Sequence, residues 1–352
     1  MSKEIKLFNT VLYDALKKNK GLLLKRPSYI KAFSTISTFQ KKQAKQRELL
    51  SKKESIVVPP ILILSITNDC NLSCAGCYAF HQQREKEEEL DIIEINRIVD
   101  ESVSLGVSVI MIAGGEPLIK EGLLDIPEKH KNTVFVLFTN GLLLSDEKIN
   151  RLKDIKNLIP ILSLEGGKAD TDKRRGKGIY DSVLNIMDKM DKKKLLFGTS
   201  ITLTADNYED VVNSDYLKNL EDSGCRAAFL IEYVPMQDDD HLCLSEDQKK
   251  HIREQSDFNE LSMLVVPLPG DEERYGGCLA AGRGFLHISS TGSLEACPFA
   301  PYSDLNVKKM PLKQALKSKL LAEIRDKHHL LKESKGGCAL NENKEWIAEL
   351  MR

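Results

Sequence analysis

No apolar run in this 352-residue chain is long enough to cross a membrane as a helix. Apolar stretches such as 61–66 and 108–113 are strand-sized, far short of the roughly 20 apolar residues a membrane span needs. The opening decapeptide, MSKEIKLFNT, also lacks the apolar core and small-residue cleavage site of a signal peptide. The expectation is a soluble, cytoplasmic chain. In a reducing compartment its eight cysteines point to metal or redox chemistry rather than to disulfides. Aromatic residues are scarce, at 6%, and net charge is only −1, but that charge is unevenly spread. Residues 1–58 carry fourteen basic and four acidic side chains, whereas the rest carries 37 basic and 48 acidic. A basic arm precedes an acidic body.

With 41% hydrophobic residues the chain can bury one sizeable core with room for a small appendage. From residue 61 onward, short β-branched runs alternate with amphipathic stretches. Strands are expected at 61–67, 108–113, 133–139, 159–164, 197–204 and 227–234, and helices at 91–105, 118–131, 146–157, 180–193 and 208–223. Gly106 and Gly224 stand where helices should stop. Six β/α units with strands apolar on both faces imply a parallel sheet that curls with its helices outside, an α/β partial barrel. The pattern changes near Pro235. A polar helix at about 245–258 leads to a boundary loop at 267–270, then a β-hairpin (284–289 and 293–296) and a helix at 311–328. The expected units are an arm (1–58), the barrel (59–236), a connector (237–270) and a C-terminal domain (271–352).

Cys70, Cys74 and Cys77 follow the first strand at C-x3-C-x2-C spacing, with Gly76 inside the loop and Tyr78 after it. Three thiolates on one short loop can hold three corners of an iron–sulfur cube and leave one iron without a protein ligand. Structural zinc would want a fourth ligand, for which His81 is the only nearby candidate. A polar loop containing glycine is a poor place for inert buried thiols.

This loop, in this place, resembles the signature of the radical S-adenosylmethionine (radical SAM) superfamily. The resemblance implies a partial (β/α)6 TIM barrel. It also implies a [4Fe-4S] cluster whose open iron chelates S-adenosylmethionine, and reductive cleavage to a 5′-deoxyadenosyl radical that abstracts a substrate hydrogen. Further motifs fall at the C-terminal strand ends, where such barrels bind ligands. Gly114, Gly115, Glu116 and Pro117 resemble the family's amino-group motif, and Thr139, Asn140 and Gly141 a recurrent element after strand three. Ser163 and Glu165 lie in a Ser-Leu-Glu-Gly that is similar to the family's Ser-Leu-Asp-Gly, with Glu replacing Asp. Ser163 would then lie near the methionyl carboxylate or ribose. Arg175 takes the place of the arginine that pairs with that carboxylate. Thr204 and Asn207, and Val234 at the end of strand six, complete the implied cofactor contacts.

Cys278, Gly292 and Cys297 form C-x13-G-x4-C, with the glycine at the hairpin tip, and Cys338 follows. The spacing resembles the opening of the family's SPASM and twitch domains and implies an auxiliary [4Fe-4S] cluster on Cys278, Cys297 and Cys338, with Cys243 a candidate fourth ligand. Cys225, opening strand six, reads as a core residue.

Residues 1–58 lie outside the resemblance. Their apolar positions suggest two amphipathic helices separated near Pro27, packed on the barrel with a solvated basic face. A site for nucleic acid, an acidic peptide or a membrane surface is the sharper and less favoured reading, since aromatics are few and no nucleic-acid motif is present. The expected function is hydrogen abstraction from a peptide or a small metabolite or cofactor precursor, with a low-potential flavodoxin or ferredoxin as electron donor. The alternatives are an iron–sulfur electron carrier without radical chemistry and a nucleic-acid-modifying enzyme. No residue stands out as catalytic acid, base or radical relay.

Overall fold

The structure, a computed structural model, describes residues 27–82, 88–254, 258, 260–268, 276–331, 336 and 338–351. Nine strands form one sheet in the order β7-β6-β5-β4-β3-β2-β1-β8-β9. They are β1 (Ile61–Ser65), β2 (Val109–Ala113), β3 (Val134–Thr139), β4 (Leu158–Leu164), β5 (Gly198–Leu203), β6 (Ala227–Glu232), β7 (Leu264–Leu268), β8 (Phe285–Ile288) and β9 (Leu294–Glu295). Every neighbouring pair is parallel except β8 with β9. The expected α/β parallel sheet is therefore present, in a form consistent with a partial TIM barrel.

The helices used below are α1 (Pro27–Glu54), α2 (Ile92–Leu105), α3 (Asp146–Leu152), α4 (Lys168–Arg175), α5 (Ile179–Lys192), α6 (Tyr208–Val212), α7 (Ser214–Asp222), α8 (Glu246–Glu254) and α9 (Lys319–Asp326). α2 shows why such segments fold as they do. Asp91 and Glu94 form a reciprocal capping box at its start, and Gly106, at φ +111°, ends it. Its apolar stripe, Ile95, Ile98, Val99 and Leu105, is buried, and each such side chain contributes about 1.5–3 kcal/mol on leaving water.

Alternation along the strands divides the core in two. Leu62, Leu64, Ile110, Ile112, Phe135, Leu137, Leu162 and Leu164 join the helices in the main outer cluster. The inner face carries Val109, Val134, Val136 and Ile161, flanked by half-buried Ile61, Met111, Phe138, Ile159 and Phe229. Phe138 and Phe229 meet edge to face, with centroids 5.7 Å apart. Ile36 of α1 belongs to this inner cluster, so α1 closes the end of the barrel at which the strands begin.

Three buried polar residues on α1 fix that closure. Gln40 donates to Ser108 O at 2.9 Å, and Gln43 donates to Val103 O and Val107 O at 2.6 and 2.9 Å. Arg47 donates to Gly106 O and to Ser108 Oγ. They thus tie α1 to carbonyls of the last turn of α2 and of the segment that leads from it into β2. Burial pulls the Arg47 guanidinium down to about 10. Lys41, Lys42, Lys45, Lys52 and Lys53 remain exposed, so α1 presents a basic outer face. The first of the two expected helices lies outside the described residues.

Several expected boundaries move. Residues 264–268, expected as connector ending in a boundary loop, form β7 on the edge beside β6, where Pro267 can sit because an edge strand has one side free of ladder bonds. The hairpin assigned to a separate C-terminal unit instead extends the barrel sheet, β8 pairing in parallel with β1. The helix expected at 118–131 is reduced to a turn at Pro117–Ile119 and a helix at Asp125–Lys129. The one at 208–223 breaks at extended Asn213, whose side chain caps α7. The one at 311–328 divides into Leu312–Ala315 and α9, with Ser318 capping the latter.

Candidate active site at the strand ends

The loop after β1 is anchored first by backbone. Gly115 N donates to Thr67 O at 2.7 Å and Glu116 N to Asp69 O at 2.8 Å, so the loops after β1 and β2 lie main chain on main chain. The approach requires glycine: a Cβ on Gly115 would stand 2.1 Å from Asp69 O. Gly114, with φ +129°, would place its Cβ 2.5 Å from Thr67 O.

Glu116 is fully buried and serves the chain itself. Its carboxylate accepts from Leu118 N (3.0 Å), Thr139 Oγ1 (2.8 Å) and Asn140 N (2.8 Å). Burial pushes its carboxyl pKa up, against the pull of those hydrogen bonds. The ammonium contact implied by the resemblance would thus have to share an already engaged carboxylate. Asn140, fixed by Glu116, donates to Asn71 Oδ1 at 2.7 Å and reaches to 4.0 Å from Cys70 Sγ. Pro117 is buried at the start of its short turn.

Glu165 organises the other side. It is 1% exposed and receives Arg174 Nη1 at 2.5 Å, Arg175 Nε at 2.7 Å, and Thr202 N at 3.2 Å. Arg175 Nη1 stands 4.0 Å from Cys74 Sγ. Burial pulls the Arg175 pKa down, but Glu165 and the thiols of Cys74 and Cys77 more than offset it and raise it. Glu in place of the family's Asp is thus the residue that holds both arginines. Thr204 and Asn207 brace it: Thr204 N donates to Asn207 Oδ1 at 2.8 Å, and Asn207 Nδ2 donates to Glu165 O at 2.7 Å. Ser163 faces inward on β4, half-buried, with its Oγ 3.5 Å from Ser200 Oγ.

Two residues to which the sequence reading gave no role at the cysteine loop clamp it. Arg174 Nε donates to Ala75 O at 3.0 Å, while Ala75 N donates to Arg174 O at 2.9 Å. Tyr233 lies against Gly76, where an added Cβ would come 2.4 Å from its hydroxyl oxygen. Adjacent Val234, the residue expected at the cofactor, is buried. The adjacent arginines of α4 were the available signal for Arg174. Tyr233 stands at the expected end of strand six, but no sequence signal ties it to Gly76.

Cys70, Cys74 and Cys77 are near enough to act on one another electrostatically, and desolvation is the chief cause raising the thiols of Cys70 and Cys74. Among the described residues, no three His, Cys, Asp or Glu converge as a single metal ion requires. Thiols spaced around a glycine-containing loop are the kind of set that can hold three corners of an iron–sulfur cube.

The second cysteine set also comes together. Burial pushes the Cys297 thiol well up, and Cys338 and Cys278 add to the effect. Cys243 faces acids and Lys249 instead, with desolvation again raising it. Cys225 is a core residue, as expected, its thiol donating to Ala227 O at 3.1 Å. Tyr78 links the two sets, its ring meeting Phe299 at 4.7 Å, and Gln82 Nε2 donates to Pro298 O at 2.6 Å.

The profile of the radical SAM superfamily matches residues 64–214, the stretch that contains the cysteine loop and every strand end through β5. Residues 64–214 thus form a radical SAM superfamily domain. Membership implies a [4Fe-4S] cluster and S-adenosylmethionine. An AdoMet-dependent heme synthase of Methanosarcina barkeri (strain Fusaro / DSM 804) is 25% identical over 82% of this chain and 90% of its own length. A Fe-coproporphyrin III synthase of the same organism is 32% identical, over 43% of this chain and 39% of its own length. The crystal structure of Streptococcus suis SuiB bound to S-adenosylmethionine shares the fold, with a TM-score of 0.67 at 17% identity over 86% of this chain and 78% of that one. SuiB has also been solved bound to the precursor peptide SuiA. No described helix of this radical SAM chain is long and apolar enough to cross a membrane.

Proposed function

We propose that the chain reductively cleaves S-adenosylmethionine at a [4Fe-4S] cluster held by Cys70, Cys74 and Cys77, and abstracts hydrogen from a peptide or a small cofactor precursor in the barrel lumen. One observation carries the reading: three thiols, the Arg175–Glu165 pair and the Gly114–Gly115 cradle meet at the C-terminal ends of one parallel sheet, where such folds bind ligands. When bound, the cluster supplies the electron that splits the sulfonium. The chain's own residues supply the setting. Arg174 and Tyr233 fix the loop, and Arg175, its Nε and Nη2 held by Glu165, keeps Nη1 on the cysteine side as a donor for a carboxylate. Gly114 and Gly115 bring backbone close, and inward Ser163 offers a hydroxyl at the lumen wall.

Cys278, Cys297 and Cys338 would hold an auxiliary cluster behind the β8–β9 hairpin, supported by the mutual influence of their thiols. A low-potential flavodoxin or ferredoxin would supply electrons. The two named relatives and SuiB support both a cofactor and a peptide as substrate class, and the heme synthase spans more of this chain than the other curated relative.

The test is 5′-deoxyadenosine formation by anaerobically reconstituted, dithionite-reduced protein. The reading expects product from wild type and none from a Cys70→Ala, Cys74→Ala, Cys77→Ala variant. A cluster-loaded wild type that yields none with peptide and porphyrin substrates would favour an electron carrier.

A further inference from the structure

A buried hydrogen-bonded chain lies on the inner face of the sheet and begins at the end of β1, just before the cysteine loop. Ser65 Oγ is 2.8 Å from His287 Nε2, and His287 Nδ1 is 2.8 Å from Glu295 Oε2. His287 and Glu295 are each 1% exposed and Ser65 8%. Three strands bring them together, since β8 pairs in parallel with β1 and folds back as β9, setting His287 beside Ile63 and opposite Glu295. Ser65 is the last residue of β1, on the face shared with Ile61 and Ile63, and it pairs with half-buried Ala113. It stands five residues before Cys70, and Glu295 stands two before Cys297.

With Glu295 as the carboxylate, it accepts a hydrogen bond from Nδ1–H, and Nε2 is then the unprotonated nitrogen of His287. Nε2 must then accept from the Ser65 hydroxyl, whose lone pairs remain for the lumen. This is the order hydroxyl, imidazole, carboxylate that activates an oxygen as a base or nucleophile.

We propose that Ser65 and His287, oriented by Glu295, form an acid–base relay in the wall of the lumen for a substrate bearing an ionisable N–H or O–H beside the reacting carbon. The substrate's N–H or O–H bond breaks and its proton passes to Ser65 Oγ, while Ser65's own proton passes to His287 Nε2. The substrate is left as an anion, and the new imidazolium is paired with Glu295. No electrons move in this step. The proposal rests on the lumen being the place of the substrate.

The relay can be tested without knowing that substrate. Methanesulfonyl fluoride attacks base-activated hydroxyls: an S–O bond forms, S–F breaks, fluoride leaves, and the serine proton goes to the imidazole. With anaerobically purified full-length protein and mass-spectrometric mapping, Ser65 is expected to be sulfonylated, and His287→Gln to slow this on the order of 10²-fold. Ser65 unmodified, or modified equally fast in His287→Gln, would overturn the relay. Should that variant not fold, ¹⁵N spectra of wild-type histidines decide. The Nδ1–H tautomer at His287 supports the relay and the Nε2–H tautomer overturns it. 5′-Deoxyadenosine formation, measured alongside, keeps the two readings separate. Sulfonylation without cleavage of S-adenosylmethionine sinks the radical reading alone, and the reverse sinks only the relay.

Discussion

Arg175 lies between a carboxylate and a thiol, with its Nε 2.7 Å from Glu165 Oε1 and its Nη1 4.0 Å from Cys74 Sγ. The cationic end of α4 is thereby brought against the cysteine loop, and Glu165 carries the electrostatic cost of holding two guanidinium groups there.

Removing Glu165 should therefore be severe. Glu165→Ala leaves Arg174 and Arg175, at 18% and 13% side-chain exposure, facing each other uncompensated, and breaking a buried pair of this kind costs about 3–5 kcal/mol. Urea denaturation should show that loss. Glu165→Asp, which restores the charge on a shorter arm, should recover part of it. A loss below about 1 kcal/mol in the alanine variant would mean that the pair is solvent-screened.

The main-chain contact at Gly115 makes a sharper demand. Gly115→Ala forces a Cβ to 2.1 Å from Asp69 O, and overpacking of this sort costs typically about 1–3 kcal/mol. Because the displaced backbone carries the cysteine loop, iron retention should fall further than thermal stability. Wild-type iron content in the variant would show that the two loops move independently.

At the other end of the barrel, Arg47→Ala strips the hydrogen bonds from Gly106 O and Ser108 Oγ, and unsatisfied buried groups cost about 1–3 kcal/mol each. Lys41→Ala, on the exposed side of the same helix, should change stability by no more than about 0.5 kcal/mol. Equal effects of the two, read from denaturant midpoints, would mean that α1 is not docked through its polar stripe.

Asp172 gives a pH signature. Tyr180 N and Gly178 N donate to its carboxylate at 3.0 and 2.9 Å and hold its pKa below the ordinary 3.8. A depressed folded value means stability that is complete above about 3.8 and lost as pH falls through the folded value. Urea midpoints should therefore decline less steeply below pH 4 in Asp172→Asn than in wild type. Parallel acid limbs in the two proteins would remove Asp172 from the account.

Much of this was legible in advance because it is local. Strand periodicity, helix stops at Gly106 and Gly224, and the motif at each strand end can all be read along one stretch of chain. What could not be read depends on distant partners. Pro267 looks like a loop residue until β6 is found beside it, and the 284–296 hairpin looks independent until β8 pairs with Ile61–Ser65, more than two hundred residues earlier. His287 and Glu295 face each other across that hairpin, but only the pairing of β8 with β1 brings Ser65 to them. Glu165 shows the converse. Along the chain it is only a departure from Ser-Leu-Asp-Gly, whereas in three dimensions it is the anchor for both arginines.

Iron and acid-labile sulfide, with Mössbauer spectra, measured on anaerobically purified wild type beside the Cys70→Ala, Cys74→Ala, Cys77→Ala variant, test the central claim most directly. The account predicts about eight irons falling to about four, the remainder being a second [4Fe-4S] cluster on Cys278, Cys297 and Cys338. A fall from about four to none would keep the radical cluster and return the C-terminal cysteines to a structural role. Iron unchanged by loss of all three cysteines would contradict the account.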